Sequence, residues 1–162
     1  MTETPCKSRV LIIGVGNYYR SDDAAGLIAA EILNAKKYTG IEVLKHSGEG
    51  ASLLECWKNA DSVVLIDALH SGAEAGTIFR IDVHKQPLQR EYFRHSTHSF
   101  GVADAVELAR TMNQLPKQFV IFGIEGKNYI AGTKLSSEVD HATKEIVDRV
   151  IQELEDHQIG MD

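Results

Sequence analysis

Apolar residues arrive along the chain in short continuous runs that alternate with longer stretches of helical spacing. The first run, Arg9 to Ile13 (R-V-L-I-I), closes at Gly14 and has the length and β-branched content of a buried strand. Ala25, Ile28, Ile32 and Ala35 then recur at helical spacing. They predict a helix to about Lys36, with Ser21 or Asp22 able to cap it and Gly40 to stop it. Ile41 to Lys45 alternates weakly and reads as a second strand. After a loop at Gly48 to Gly50, Ala51 to Asn59 carries Leu53, Leu54 and Trp57 on a short helix. Ser62 to Ile66 (S-V-V-L-I) is a third buried strand, ending at Asp67, and Thr77 to Val83 a fourth with period-two character. Lys85 to Ser96 is polar, contains Pro87 and is the longest predicted loop, a candidate for function. Ser99 to Gln114 follows helical spacing through Val102, Val106, Leu108 and Ala109. Phe119 to Ile124 is the last strand. Ser136 opens a final helix through Val139, Ile146, Val147, Val150, Ile151 and Leu154.

Strands and helices alternate throughout, with no internal repeat, low-complexity tract or linker. The expected fold is a single α/β domain over residues 1–162, a three-layer α/β/α sandwich with a mostly parallel central sheet of about five strands. In such sheets ligands bind beyond the carboxyl ends of the strands, so the residues that follow each strand matter most.

Composition narrows the classes. A chain of 162 residues, 43% hydrophobic, suits one domain with a real core, and 25% charged residues is the globular average rather than a disordered one. Lys plus Arg is 17 and Asp plus Glu is 23, a net −6 that provides no overall basic surface for nucleic acid. No apolar run reaches the ~18 residues of a membrane span. The polar stretch Met1 to Ser8 lacks the apolar core of a secretory signal. Cys6 and Cys56 make neither a disulfide framework nor a C-x-x-C pair, which suits a reducing cytoplasm.

Four segments near strand ends carry polar groups able to meet: Gly14 to Asp23 (G-V-G-N-Y-Y-R-S-D-D), Asp67, the S-T-H-S stretch with His98, and G-I-E-G with Glu125. The first invites a dinucleotide reading, but G-x-G-x-x-G fails at Tyr19, where only glycine permits close helix–strand packing. No G-K-[ST] follows, so it is not a P-loop. Asp23, Asp67 and His98 together offer two carboxylates and an imidazole, a set that holds a divalent transition metal with positions left open. Each also has a plain structural reading. Asp22 and Asp23 suit the positive end of a helix, Asp67 can tie down a loop, and His98 can open a helix. His46, His70, His84 and His95 have similar or poorer claims as ligands. There is no G-x-S-x-G elbow. Cys56, inside L-L-E-C-W, reads as a buried structural thiol and Trp57 as core.

The segment G-V-G-N-Y-Y-R-S-D-D-A-A-G, Gly14 to Gly26, resembles the N-terminal signature of the hydrogenase maturation proteases, G-[IV]-G-N, four residues, D-[DE], two residues, G. The similarity continues at V-V-L-I-D-A-L-H-S-G (Val63 to Gly72), at S-T-H-S-F-G-V-A-D-A-V-E-L-A (Ser96 to Ala109) and at F-G-I-E-G (Phe122 to Gly126), in order over about residues 8 to 155. The resemblance implies an endopeptidase, metal-dependent or aspartyl in type, that trims the C-terminal extension of a nickel–iron hydrogenase large-subunit precursor after nickel insertion. It places the catalytic and metal-binding positions on Asp23, Asp67 and His98. Some members carry Glu where this chain has Asp23, which reaches one methylene less far. The nickel is carried by the substrate, no organic cofactor is implied, and the protein is expected in the cytoplasm without nucleic-acid or membrane partners. Gly14 and Gly16 would let the chain turn sharply beside the site, and Asn17 would bond loop backbone. Residues 85–96 and Glu125 to Ala131 are the expected contacts for the precursor's C-terminal peptide. Two other readings compete: a nucleotide- or phosphate-binding α/β module built on the glycine turn, and a non-catalytic chaperone that holds the precursor without cutting it.

Overall fold

In the computed structural model, which describes residues 9–93 and 98–156, one five-stranded sheet carries every helix. Cys6, His95 and the Ser96–Thr97 half of the S-T-H-S motif lie outside the described residues. The strands are β1 (Val10–Val15), β2 (Ile41–His46), β3 (Ser62–Leu69), β4 (Ile78–Asp82) and β5 (Gln118–Glu125). The helices are α1 (Ala25–Ala35), α2 (Gly50–Trp57), α3 (Val102–Thr111) and α4 (Ser137–Asp156). Spatial order is β2-β1-β3-β5-β4, parallel except for β4, which runs antiparallel to β5. The expected three-layer sandwich is thus the observed one.

Side-chain alternation on β1 sorts the core into two halves. Leu11, Ile13 and Val15 join Trp57 of α2 and Val106 of α3 on one face of the sheet. Val10 and Ile12 join Ala29 and Leu33 of α1 and Ile146 and Val150 of α4 on the other. β1 and β3 are buried at every position, which is why Val10–Ile13 and Val63–Ile66 read as unbroken apolar runs. β2 and β4 are edge strands, half exposed, and their patterns were weaker for that reason.

Several boundaries differ from expectation. β3 continues through Asp67 to Leu69 because β5 keeps pairing with it (Asp67 opposite Gly123, Leu69 opposite Glu125) after β1 has stopped at Gly14 opposite Ile66. α1 buries Ala25, Ala29 and Leu33, whereas the predicted Ile28 and Ile32 are only partly buried and Ala35 is exposed. Small residues face the sheet because α1 lies unusually close to it. α3 begins at Val102 rather than Ser99 and leaves Leu108 exposed. The described part of the long 85–96 stretch is not loose: Leu88 and Phe93 are core residues, and Arg90–Phe93 form a 3₁₀ turn.

Candidate active site

The chain leaves β1, runs along the sheet's end, and enters α1 through a 3₁₀ turn, Ser21–Ala24, whose residues are all buried. Glycines permit this path. A Cβ on Gly14 would stand 2.2 Å from the Gly26 carbonyl oxygen, and one on Gly26 would stand 2.3 Å from that of Ile66 and 2.4 Å from that of Val15. Gly26 therefore supplies the close helix–strand approach that Tyr19 denies to the dinucleotide pattern. A Cβ on Gly16 would fall 1.9 Å from the Asp23 carbonyl oxygen. The turn folds back on itself there and leaves no room for a phosphate between Gly16 and Asp23. Asn17 holds loop backbone as expected, its Oδ1 accepting from the Tyr19 N–H at 2.9 Å.

Sheet order reverses at β1: α1 leads outward to β2, and α2 leads back across to β3. Such a switch point opens a crevice at the carboxyl ends of the strands. A cleft of about 450 Å³ lies there, and Asp23, Asp67 and His98 all line it, with His46 beside them. Three segments far apart in sequence are thus brought to one cavity. Asp23 and Asp67 are 5% and 3% exposed, respectively, and His98 is half-buried. Asp67 shares the sheet face of Leu65 and Leu69, towards α2 and α3. Its Oδ1 accepts the N–H of Ala68 at 2.9 Å. His98 stands just before α3, whose start is fixed when Asp104 Oδ2 accepts the Gly101 N–H at 3.0 Å. Among the described residues, no three His, Cys, Asp or Glu side chains are grouped tightly enough to hold an ion by themselves.

His46 ends β2 and had only a weak claim from sequence; its place at a strand's carboxyl end was the available signal. Its Nδ1 accepts the Gly48 N–H at 2.9 Å, which leaves the proton on Nε2, 3.0 Å from Ser52 Oγ. Burial holds the ring's pKa below its ordinary value, and the nearby His98 acts in the same direction. Glu49, the N-cap of α2, accepts from the Ala51 and Ser52 N–H groups, which keeps its carboxyl below the usual range.

Other singled-out residues stand elsewhere. Asp22 caps no helix. It is fully buried and accepts from the N–H groups of Lys127 (2.8 Å), Asn128 (2.9 Å) and Ser136 (2.7 Å) and from the Ser136 hydroxyl. Glu125 turns away from the cleft, accepting from the Ser71 N–H and Oγ–H and the Gly72 N–H. Nothing from Glu125 to Ala131 lines the cleft, whereas Phe93 of the 85–96 stretch does. His84 bonds the Pro116 carbonyl oxygen, and His70 sits edge-on to Tyr129. Cys56 is partly buried against the core, its thiol pKa pushed up by burial, and Trp57 packs on Phe119 with ring centroids 5.0 Å apart.

The family model described as "Hydrogenase maturation protease" matches residues 29–153. The "Hydrogenase expression/formation protein HupD" of Thiocapsa roseopersicina is 25% identical over 118 residues, 72% of this chain and 53% of that protein. The chain thus spans about half the length of that relative. The "Hydrogenase 2 maturation protease" of Escherichia coli is 29% identical over 119 residues, 72% of each chain. Among solved structures, the "[NiFe] hydrogenase maturation protease HybD from Thermococcus kodakarensis" superposes with a TM-score of 0.67 at 26% identity, over 89% of this chain and 97% of that one.

Proposed function

The chain belongs to the hydrogenase maturation protease family, and from that membership we propose that it is an endopeptidase that removes the C-terminal extension of a nickel–iron hydrogenase large-subunit precursor once nickel is in place. The observation that carries the reading is the convergence of Asp23, Asp67 and His98 on one cleft at the topological switch point. Two oxygen donors and one nitrogen donor suit the nickel that the precursor brings with it. Their open grouping is what such a recognition needs: the ion is held well only when the precursor supplies the remaining ligands. Cleavage then depends on correct loading, because the site is complete only with the right substrate.

Hydrolysis of the scissile amide requires a base for the attacking water and a proton for the leaving amine. One of the buried cleft carboxylates, Asp23 or Asp67, would take the proton of the attacking water and, as the acid so formed, return it to the leaving amine. His98 holds the ion through one ring nitrogen. The neutral His46, with its proton on Nε2 and Nδ1 occupied by Gly48, adds no positive charge beside the incoming cation. The reducing cytoplasm is the compartment that suits the free thiol of Cys56.

The test is mass spectrometry of a nickel-loaded precursor incubated with the purified protein. Wild type should release the C-terminal peptide. Asp67→Asn and His98→Ala should leave it attached while keeping the wild-type circular dichroism spectrum. Full processing by both variants would defeat the assignment. A precursor that binds wild type tightly and stays uncut would favour the chaperone reading instead.

A further inference from the structure

The segment from Gly126 to Ser136 takes no part in lining the cleft, yet it is bonded to both strands of chain that carry the site's carboxylates. Next to Asp23, the fully buried Asp22 accepts three of its backbone N–H groups, from Lys127, Asn128 and Ser136. In return the Asp22 N–H donates to the Asn128 carbonyl at 3.0 Å and the Ser21 N–H to that of Gly132 at 2.9 Å. Two residues beyond Asp67, the Leu69 carbonyl oxygen accepts the Tyr129 hydroxyl at 2.6 Å and the Gly126 N–H at 3.0 Å. Tyr129 fits only because position 126 is glycine: a Cβ there would stand 2.3 Å from the phenol oxygen. Burial and the surrounding charges of Asp67, Asp23, Glu125 and Asp22 push the phenol's pKa far up. The hydroxyl is the donor in the bond to Leu69.

No strand pairing joins these two places directly, because β1 ends its ladder with β3 before Asp67. The connection runs Asp23–Asp22–(Lys127, Asn128)–Tyr129–Leu69–Asp67, through part-buried hydrogen bonds of 2.6–2.9 Å. Building on the protease reading, we infer that Asp22 and Tyr129 are positioning residues: they make the Gly126–Ser136 segment a brace that fixes the separation of Asp23 and Asp67. This is a different role from the peptide contact that the sequence suggested for part of this segment.

Tyr129→Phe keeps the ring and removes one bond, so it isolates the brace. Expected for the nickel-loaded precursor is a fall in kcat of about ten-fold or more with KM within about two-fold, because an ångström of misplacement at a reacting centre costs up to ~100-fold. Hydrogen exchange should accelerate at the amides of residues 67–72 and 126–136, with the unfolding midpoint nearly unchanged. Asp22→Asn, which sets an amide donor against one of the backbone N–H groups that the carboxylate accepts, should also lower kcat per folded molecule if Tyr129→Phe folds poorly. Unchanged kcat despite faster exchange, or a loss of kcat that merely follows a loss of folded protein, would overturn the inference. If wild type itself leaves every loaded precursor uncut, the protease reading fails, and the exchange rates of the Asp67–Leu69 amides in Tyr129→Phe then decide the brace alone.

Discussion

Gly26→Ala tests how closely α1 is set against the sheet. The added methyl would meet two backbone carbonyl oxygens, those of Ile66 at 2.3 Å and Val15 at 2.4 Å. Favourable non-bonded contact begins near ~3.5 Å. The start of α1 must therefore retreat by about 1 Å, since neither oxygen belongs to a side chain that can rotate away. Overpacking of this kind costs about 1–3 kcal/mol, and two fixed neighbours place it at the upper end. Alanine gains up to ~1 kcal/mol over glycine inside a helix, and less at the second residue of α1. Crowding wins, leaving a net loss of about 2 kcal/mol. For a chain of 162 residues that lowers the melting temperature by about 4–8 °C. Thermal unfolding followed by circular dichroism reads it, and a midpoint within ~1 °C of wild type would refute the packing argument. Because Asp23 lies three residues upstream, the same retreat should depress precursor cleavage more than the lost stability explains.

Two further outcomes follow from other parts of the molecule. The His46 imidazole has its pKa lowered by burial, so the unfolded chain binds that proton more readily. Its contribution to stability is complete above about pH 6.5 and declines as pH falls through that value towards the folded-state pKa. His46→Gln should accordingly flatten the acid side of the urea-midpoint profile below about pH 6.5, and parallel profiles would contradict this. Trp57, the single tryptophan, is 2% exposed and packs on Phe119. Its fluorescence should be blue-shifted in the native state and shift red on unfolding, and Trp57→Ala should cost about 3–5 kcal/mol in chemical denaturation. A native spectrum like that of free tryptophan would contradict the packing.

Residues whose surroundings are local or uniform were legible from the chain alone. β1 and the middles of β3 (Val63–Ile66) and β5 (Phe119–Ile124) are apolar because both sheet faces are covered there, so their runs announced them. α4 kept a long apolar stripe and was found within a residue of its start. α1 was placed correctly but its face was not, since Ile28 and Ile32 look more buried by type than the small residues that touch the sheet. Asp23, Asp67 and His98 could be proposed together only on strand-end position and resemblance. His46 carried no stronger signal than any other histidine at a strand's edge.

By itself, the order of apolar runs and helical stripes determined the layers, because each pattern states which faces must leave water. It also put acids and a histidine at places where strands end. Whether those groups shared a cavity was decided only by the tertiary structure, through the strand order that reverses at β1. The same holds for Asp22 and Tyr129. A buried carboxylate or phenol is defined by the donors and acceptors that reach it, and here these come from residues roughly sixty to over a hundred positions away, a distance over which local sequence carries no information.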